Sequence, residues 1–214
     1  MPLIASEPNR KNIEPIPPGV HAALCYGVID LGTQPNRKFG GEHRQVLLQW
    51  ELPACRGEFE KDGELRDLPR AISRRYTLSL DEKSNLRREL ESWRGRKFTD
   101  EELSGFDLQN LLGASCQIQV VHQTKLDGGI FAGIGAIMAL PQGSSVPKET
   151  ENPHTFFAFD GEVDNPELPK GIPEWVIDII MESNEWRAAS KRKDSVGEEQ
   201  TATSTETVTN PDPF

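Results

Sequence analysis

The amino-acid sequence predicts a mainly β fold: a small five-stranded barrel with a helix between its third and fourth strands, a C-terminal helix and a disordered acidic tail. Three observations lead there. Alternating apolar runs occupy residues 20–32, 43–52 and 72–80, a stretch of helical period follows at 86–93, and two more alternating runs occupy 115–124 and 130–140. Gly- and Pro-bearing segments separate these runs, as turns require. From Ala188 onward only Val196 and Val208 are large and apolar before the final Phe214. So polar a stretch cannot bury enough surface to offset its ordering entropy.

Taken in order, residues 1–19 read as an extended, Pro-rich lead-in. VHAALCYGVIDLG (20–32) is β-rich and closes on Gly32. TQPNRKFGGE is a loop by composition, carrying Arg37, Lys38 and Phe39 at its tip. HRQVLLQWEL (43–52) then puts Val46, Leu48 and Trp50 on one face. Residues 53–69 are charged and broken by Gly and Pro, which indicates a long loop or hairpin excursion. In ISRRYTLSL (72–80), Arg74, Tyr76, Leu78 and Leu80 share a face. Leu86, Leu90 and Trp93 then fall at i, i+4 and i+7, the stripe of an amphipathic helix that Ser79 or Asp81 can cap and Gly95 can end. Thr99 with Glu102 forms a capping-box pattern for a short second helix, and DLQNLLG (107–113) reads as a further turn. SCQIQVVHQT (115–124) alternates again, and Asp127-Gly128-Gly129 supplies a hairpin turn into IFAGIGAIMAL (130–140).

Three strands, a helix and two strands is the order of the OB-fold, a Greek-key barrel that presents strands 2 and 3 and nearby loops to oligonucleotides or oligosaccharides. The chain divides into an N-terminal segment (1–19), the barrel (20–140), an extension (141–187) and the tail (188–214). In the extension, HTFFAFDGE (154–162) predicts a strand with Phe157 and Phe159 opposite Phe156. IPEWVIDIIMESNEW predicts a helix starting near Pro173, with Trp175, Ile179 and Met181 to one side. This region is expected to strap onto the barrel.

Charge is unevenly spread. The net charge is -10, but residues 37–97 hold 15 Lys/Arg against 11 Asp/Glu, a net of +4, whereas residues 98–214 hold 7 against 20, a net of -13. A basic middle beside an acidic end suits a protein that binds a polyanion in one place and repels it in another. Three cysteines, Cys25, Cys55 and Cys116, lie far apart without a CxxC pair, and the four histidines show no metal-ligand spacing. Neither a disulfide framework nor a metal or cofactor site is expected. No apolar run approaches the ~20 residues of a membrane span, and the N-terminus lacks the pattern of a signal peptide, so a cytoplasmic protein is expected. Motifs for nucleotide cradling or nucleophilic catalysis are absent from the sequence, which predicts a binding protein and not an enzyme.

Single-strand binders combine cations that track phosphates with aromatic faces on which bases stack. Such interleaving occurs at RKF (37–39), RRY (74–76) and WRGRKF (93–98). The candidate nucleic-acid-binding residues are therefore Arg37, Lys38, Phe39, Arg44, Arg74, Arg75, Tyr76, Arg94, Arg96 and Lys97. Tyr76 has two geometries open to it: in the core, leaving Arg75 and Thr77 toward the ligand, or outward as a stacking platform. Trp50 and Trp93 have the same two geometries open to them, and their place on apolar stripes favours the core.

The stretch RYTLSLDEKSNLRRELESWRGRKFTDEELSGFDLQNLLG, with GVIDLGTQ and VLLQWELP before it, resembles small phage- and prophage-encoded proteins regarded as OB-fold single-stranded DNA-binding proteins. The likeness covers residues 20–140 and continues weakly through PEWVIDIIMES. It implies a replication or recombination accessory protein that coats single-stranded DNA. Separately, Asp212-Pro213-Phe214 at the C-terminus is similar to the tip of bacterial single-stranded DNA-binding proteins, where a terminal Phe fills a pocket on partner proteins. That likeness implies that replication or recombination proteins bind Asp212, Pro213 and Phe214. The chain departs from the family in having one Asp near the tip, preceded by Pro211. A second function is an adaptor or inhibitor that engages a host DNA-processing enzyme through the acidic end.

Overall fold

The computed structural model describes residues 14–35, 40–61, 63–126, 128–144, 146–159 and 167–190. Its centre is one curled antiparallel sheet of β1 (Gly19–Pro35), β2 (Glu42–Lys61), β3 (Glu64–Thr77), β4 (Ser115–Thr124) and β5 (Ile130–Met138), in the order β3-β2-β1-β4-β5. β1 is shared. Residues Gly19 to Leu24 pair with β4, and Leu24 to Pro35 pair with β2. Register shifts at Cys25/Gly27 and Asp30/Gly32 bend the strand between these roles, as bulges do. At the first bend a Cβ on Gly27 would stand 2.5 Å from Oε1 and 3.0 Å from Cβ of Gln49 on β2, so a larger residue there would have to displace that buried side chain. The result is a mainly β half-barrel, compatible with an OB-like barrel.

The two edge strands, β3 and β5, are not hydrogen-bonded to one another. α1 (Asn85–Arg94), which follows β3, packs across that end of the sheet with Leu86, Leu90 and Trp93 in a core shared with Val46, Trp50, Ile72, Tyr76 and Ile118. The Trp50 and Trp93 rings lie 5.8 Å apart, and Trp93 Nε1 donates to the Ser115 carbonyl at 2.8 Å. Both tryptophans are core residues. Gly95, at φ 65°, ends the helix in the left-handed conformation that favours glycine. The N-cap is Ser84, not Ser79 or Asp81; the Asp81 carboxylate instead accepts from the Lys83 N–H within the preceding turn. α2 (Asp100–Ser104) carries the Thr99–Glu102 capping box, and a 3-10 turn follows at Leu108–Leu111.

A second core covers the other face of β1 and β2. β6 (Thr155–Phe157) pairs in parallel with Gly27 to Ile29, on the edge that β4 leaves after Leu24. α3 (Glu174–Met181) then sets Val176 and Ile180, with Ile172 before it, against Ile29, Leu31 and Leu47. Polar groups staple this layer down. Glu51, 1% exposed, accepts from the Glu151 and Asn152 N–H groups and from Asn152 Nδ2, and Gln34 Nε2 donates to the Ile179 carbonyl. Glu185 accepts from both the N–H and the hydroxyl of Thr33. Burial opposes the charge on Glu185, but the two Thr33 bonds outweigh it and hold the carboxyl below its ordinary range.

Several boundaries differ from those the pattern predicts. The charged stretch 53–69 is strand, because β2 and β3 continue as a hairpin beyond the barrel with a register shift between Leu52 and Arg56. That arm alternates between exposed and half-buried residues along β2, so its composition resembles a loop although its backbone is paired. β3 ends at Thr77, leaving Leu78 to Leu80 in the connection to α1. The strand at 154–162 is only Thr155–Phe157. On α3 the buried stripe is Val176 and Ile180, whereas Trp175 and Met181 are each 48% exposed. Residues 188–190, assigned to the tail, are helical, and 191–214 lie outside the described residues. Among the described residues no helix is long and apolar enough to cross a membrane.

Candidate nucleic-acid interface

β3 leaves the sheet beside the start of α1, and between them lies a polar groove of about 450 Å3. Arg74, Arg75 and Thr77 of β3 line it beside Gln45 of β2, and the turn into α1 contributes Asp81, Lys83, Ser84 and Asn85. Strand pairing locates the groove. Gln45 is opposite Thr77, and the Leu78 N–H donates to the Arg44 carbonyl, so this end of β3 flanks the start of β2. Pro35 pairs with Glu42 at the base of the β1–β2 connection, which therefore springs from the same end of the sheet. Arg37, Lys38 and Phe39 belong to that connection and lie outside the described residues.

The cations of the groove are held differently. Arg74 donates to Glu89 at 2.8 Å and its guanidinium lies 5.9 Å from the centre of the Tyr76 ring. Arg75 is exposed, and neither it nor the Lys83 side chain makes an ion pair among the described residues. A cation without a carboxylate partner is free to take a phosphate; one already paired must give up its partner first. Of the two geometries open to Tyr76, the structure has the core one. Its side chain is buried, its hydroxyl donates to Glu89, and burial followed by that bond pushes its pKa far above the ordinary phenol range. The ring therefore offers no open face to a base, and Tyr76 is not a stacking platform.

The remaining sequence-predicted cations are elsewhere. Arg44 chelates Asp30 through Nε at 3.1 Å and Nη2 at 2.5 Å, and Asp30 also accepts from the Gly32 and Phe159 N–H groups. Arg44 thus helps join β1 to the C-terminal layer. Arg94 and Arg96 lie at the far end of α1, about 14 Å along its axis from Asn85 at 1.5 Å per residue. Both bind Glu102, Arg96 at 2.7 Å, and the Arg94 guanidinium sits 4.5 Å from the Phe98 ring and 5.1 Å from that of Phe106. The bond from Arg96, then the Thr99 N–H and Arg94, hold the Glu102 carboxyl at about 2. Lys97 is exposed beside them. The two described basic-aromatic segments thus do not converge: RRY joins the groove and WRGRKF packs the helix end.

Lys83 and Gln45 were missed by sequence reasoning. Lys83 sits in a mixed-charge turn, LDEKSN, where only the three-dimensional turn sets it facing β3. The thiols of Cys25 and Cys116 are buried, and burial pushes Cys25 up to about 12. Among the described residues no group of three or more His, Cys, Asp or Glu side chains is placed to hold a metal ion. Asp212, Pro213 and Phe214 lie outside the described residues. Compared with models of known protein families and with curated proteins, the chain matches none.

Proposed function

We propose that the chain is a non-enzymatic, sequence-independent single-stranded DNA-binding protein built on an OB-like Greek-key barrel, serving phage-type replication or recombination. The observation that carries this reading is the groove at the end of β3, where Arg75 and Lys83 make no ion pair among the described residues although Asp81 also lines it, beside the connection that bears Arg37, Lys38 and Phe39. Cations there track phosphates, and Phe39 supplies the aromatic face for a base. The tip, Asp212-Pro213-Phe214, recruits replication or recombination proteins, and its acidic approach competes with DNA for the basic groove.

Binding to a fluorescent oligo-dT, titrated with salt and compared with duplex DNA and RNA, tests the reading. Affinity is expected to fall steeply with salt, with a log–log slope of about -0.7 for each single-strand phosphate neutralised. Replacing Arg37, Lys38 and Phe39 together by Ser weakens binding, and deleting Asp212 to Phe214 leaves it unchanged or slightly higher while abolishing a protein contact. No binding to oligo-dT at low salt overturns the proposal, and partners captured without nucleic acid by a chain that binds no DNA would favour the adaptor.

A further inference from the structure

A second cleft, of about 380 Å3, lies where the connection from β3, the start of α1, and α2 with the turn after it meet. Its lining is apolar: Leu78, Leu80, Leu86, Leu103, Phe106 and Leu108. Leu86 belongs to the barrel core, and Leu80, Leu103, Phe106 and Leu108 are half-buried against that core, whereas Leu78 is 38% exposed. The Phe106 ring is fixed edge-on to Phe98 at 5.1 Å, and Gly105 leaves the mouth open, since a Cβ there would meet no atom within 4 Å. Five carboxylates surround this lining. Asp81 and Glu82 follow Leu80, Asp107 lies between Phe106 and Leu108, and Asp100 and Glu101 present their carbonyls to the hydroxyl of Ser104, which also lines the cleft. All five are exposed. Asp81 and Asp107 accept the N–H groups of Lys83 and Gln109, and Asp100 and Glu101 suit the first turn of α2, yet none of the five is in an ion pair among the described residues. The cations of the same stretch are placed elsewhere. Lys83 lines the polar groove, as Asp81 also does, and Arg88 donates to Asn85 of that groove. Arg87 is held by Glu91 and the Leu80 carbonyl, Arg94 and Arg96 bind Glu102, and Lys97 is exposed beyond the end of α1.

We infer that this cleft docks a basic, amphipathic segment of another protein, whose apolar side chains enter between the leucines while its Lys or Arg side chains meet Asp81, Glu82, Asp100, Glu101 and Asp107. Apolar clefts rimmed by polar residues mark interaction sites. Here the leucines select the anchor and the rim selects its charge, as in the helix-in-groove mode of peptide recognition. None of the residues that line the cleft is Lys or Arg, so an acidic peptide finds no partner there. The carboxylates also repel a phosphate backbone, which removes nucleic acid as the occupant. The cleft sits at the lower end of the roughly 300–1,000 Å3 typical of ligand sites, so a few side chains anchor the partner. This docking is independent of what the polar groove binds.

Panning a library of random displayed peptides on the full chain tests this. The enriched peptides are expected to carry large apolar residues at helical spacing with Lys or Arg between them. Affinity for the tightest, carrying a fluorophore, is expected to fall about tenfold in Glu82→Lys with Glu101→Lys, where attraction becomes repulsion, and to rise as salt is lowered. Leu78→Ser should weaken it as well. In the unsubstituted chain the peptide should shift the methyl resonances of Leu80, Leu103 and Leu108 and leave those of Leu31 in the C-terminal core unmoved, a readout that does not depend on a variant folding. Enrichment of acidic or uncharged peptides only, or of none, overturns the inference, and so do unmoved methyls in the cleft. Oligo-dT that shifts the same methyls would place nucleic acid there, and a concentration-dependent shift in the chain alone would place a second copy there; either result overturns the inference.

Discussion

The two ends of β3 present opposite surfaces. Near Thr77 the strand borders a polar groove with Arg75 and Lys83 in no ion pair among the described residues; near Glu64 it forms an acidic hairpin beside a more apolar groove. The distance between Arg70 and Arg75 is only about 17 Å at 3.3 Å per residue. Residues 37–97 carry a net of +4 as a segment, yet that sum conceals a basic end and an acidic end. Position of charge, not its total, decides where a polyanion can lie. The comparison also separates cations by use. Arg94 and Arg96 are spent on Glu102, Arg44 on Asp30 and Arg74 on Glu89, whereas among the described residues Arg75 and Lys83 meet no carboxylate in an ion pair.

The sharpest way to break the comparison is Glu89→Ala. Tyr76 and Arg74 both donate to Glu89, so its removal strands a buried hydroxyl and should cost about 1–3 kcal/mol in denaturant unfolding. The same variant frees Arg74 and should raise affinity for oligo-dT; a loss of affinity with a folded protein would mean that Arg74 acts only through its pair. Next comes Arg75→Glu with Lys83→Glu, expected to weaken oligo-dT binding about tenfold or more, ~1.4 kcal/mol, with little change in stability. Equal binding by this variant would move the interface away from the groove. Reversing acids at the opposite end, Glu58→Lys with Glu64→Lys, should change affinity less than about threefold, because exposed charges beyond a Debye length of about 10 Å are largely screened.

The smallest effect concerns Glu102. Its folded carboxyl is held at about 2, below the ordinary 4.5, so its bonds to Arg96, Thr99 and Arg94 stabilise the fold above the ordinary value. That contribution is lost as pH falls from about 4.5 through about 2. Acid unfolding of Glu102→Gln should therefore be flatter in that window than that of the parent chain, read by tryptophan fluorescence. Identical curves would mean that the arginines find other acceptors.

Much of the fold is legible in the sequence wherever an element is amphipathic. Val46, Leu48 and Trp50 on one face of β2, the Leu86, Leu90 and Trp93 stripe, the Thr99–Glu102 capping box and the limits of β4 are all local patterns that the structure realises. Where burial is two-sided or absent, the pattern misleads. Leu47 is buried between Val46 and Leu48 because the C-terminal layer covers the other face of β2. Residues 53–69 read as a loop because a hairpin outside the barrel is polar like one.

The sequence by itself determined the strand-helix order and the identity of the candidate cations, because periodicity and residue chemistry are local properties; that β1 serves two partners, and so curls the sheet, came only with the structure. Tertiary structure alone decided which cations stay available. Whether an arginine meets a carboxylate depends on long-range neighbours: Asp30 reaches Arg44 across 14 residues and Glu89 reaches Arg74 across 15. It also decided that Tyr76 points inward to Glu89 and that Lys83 faces β3, since the turn from β3 into α1 sets both against the same strand end.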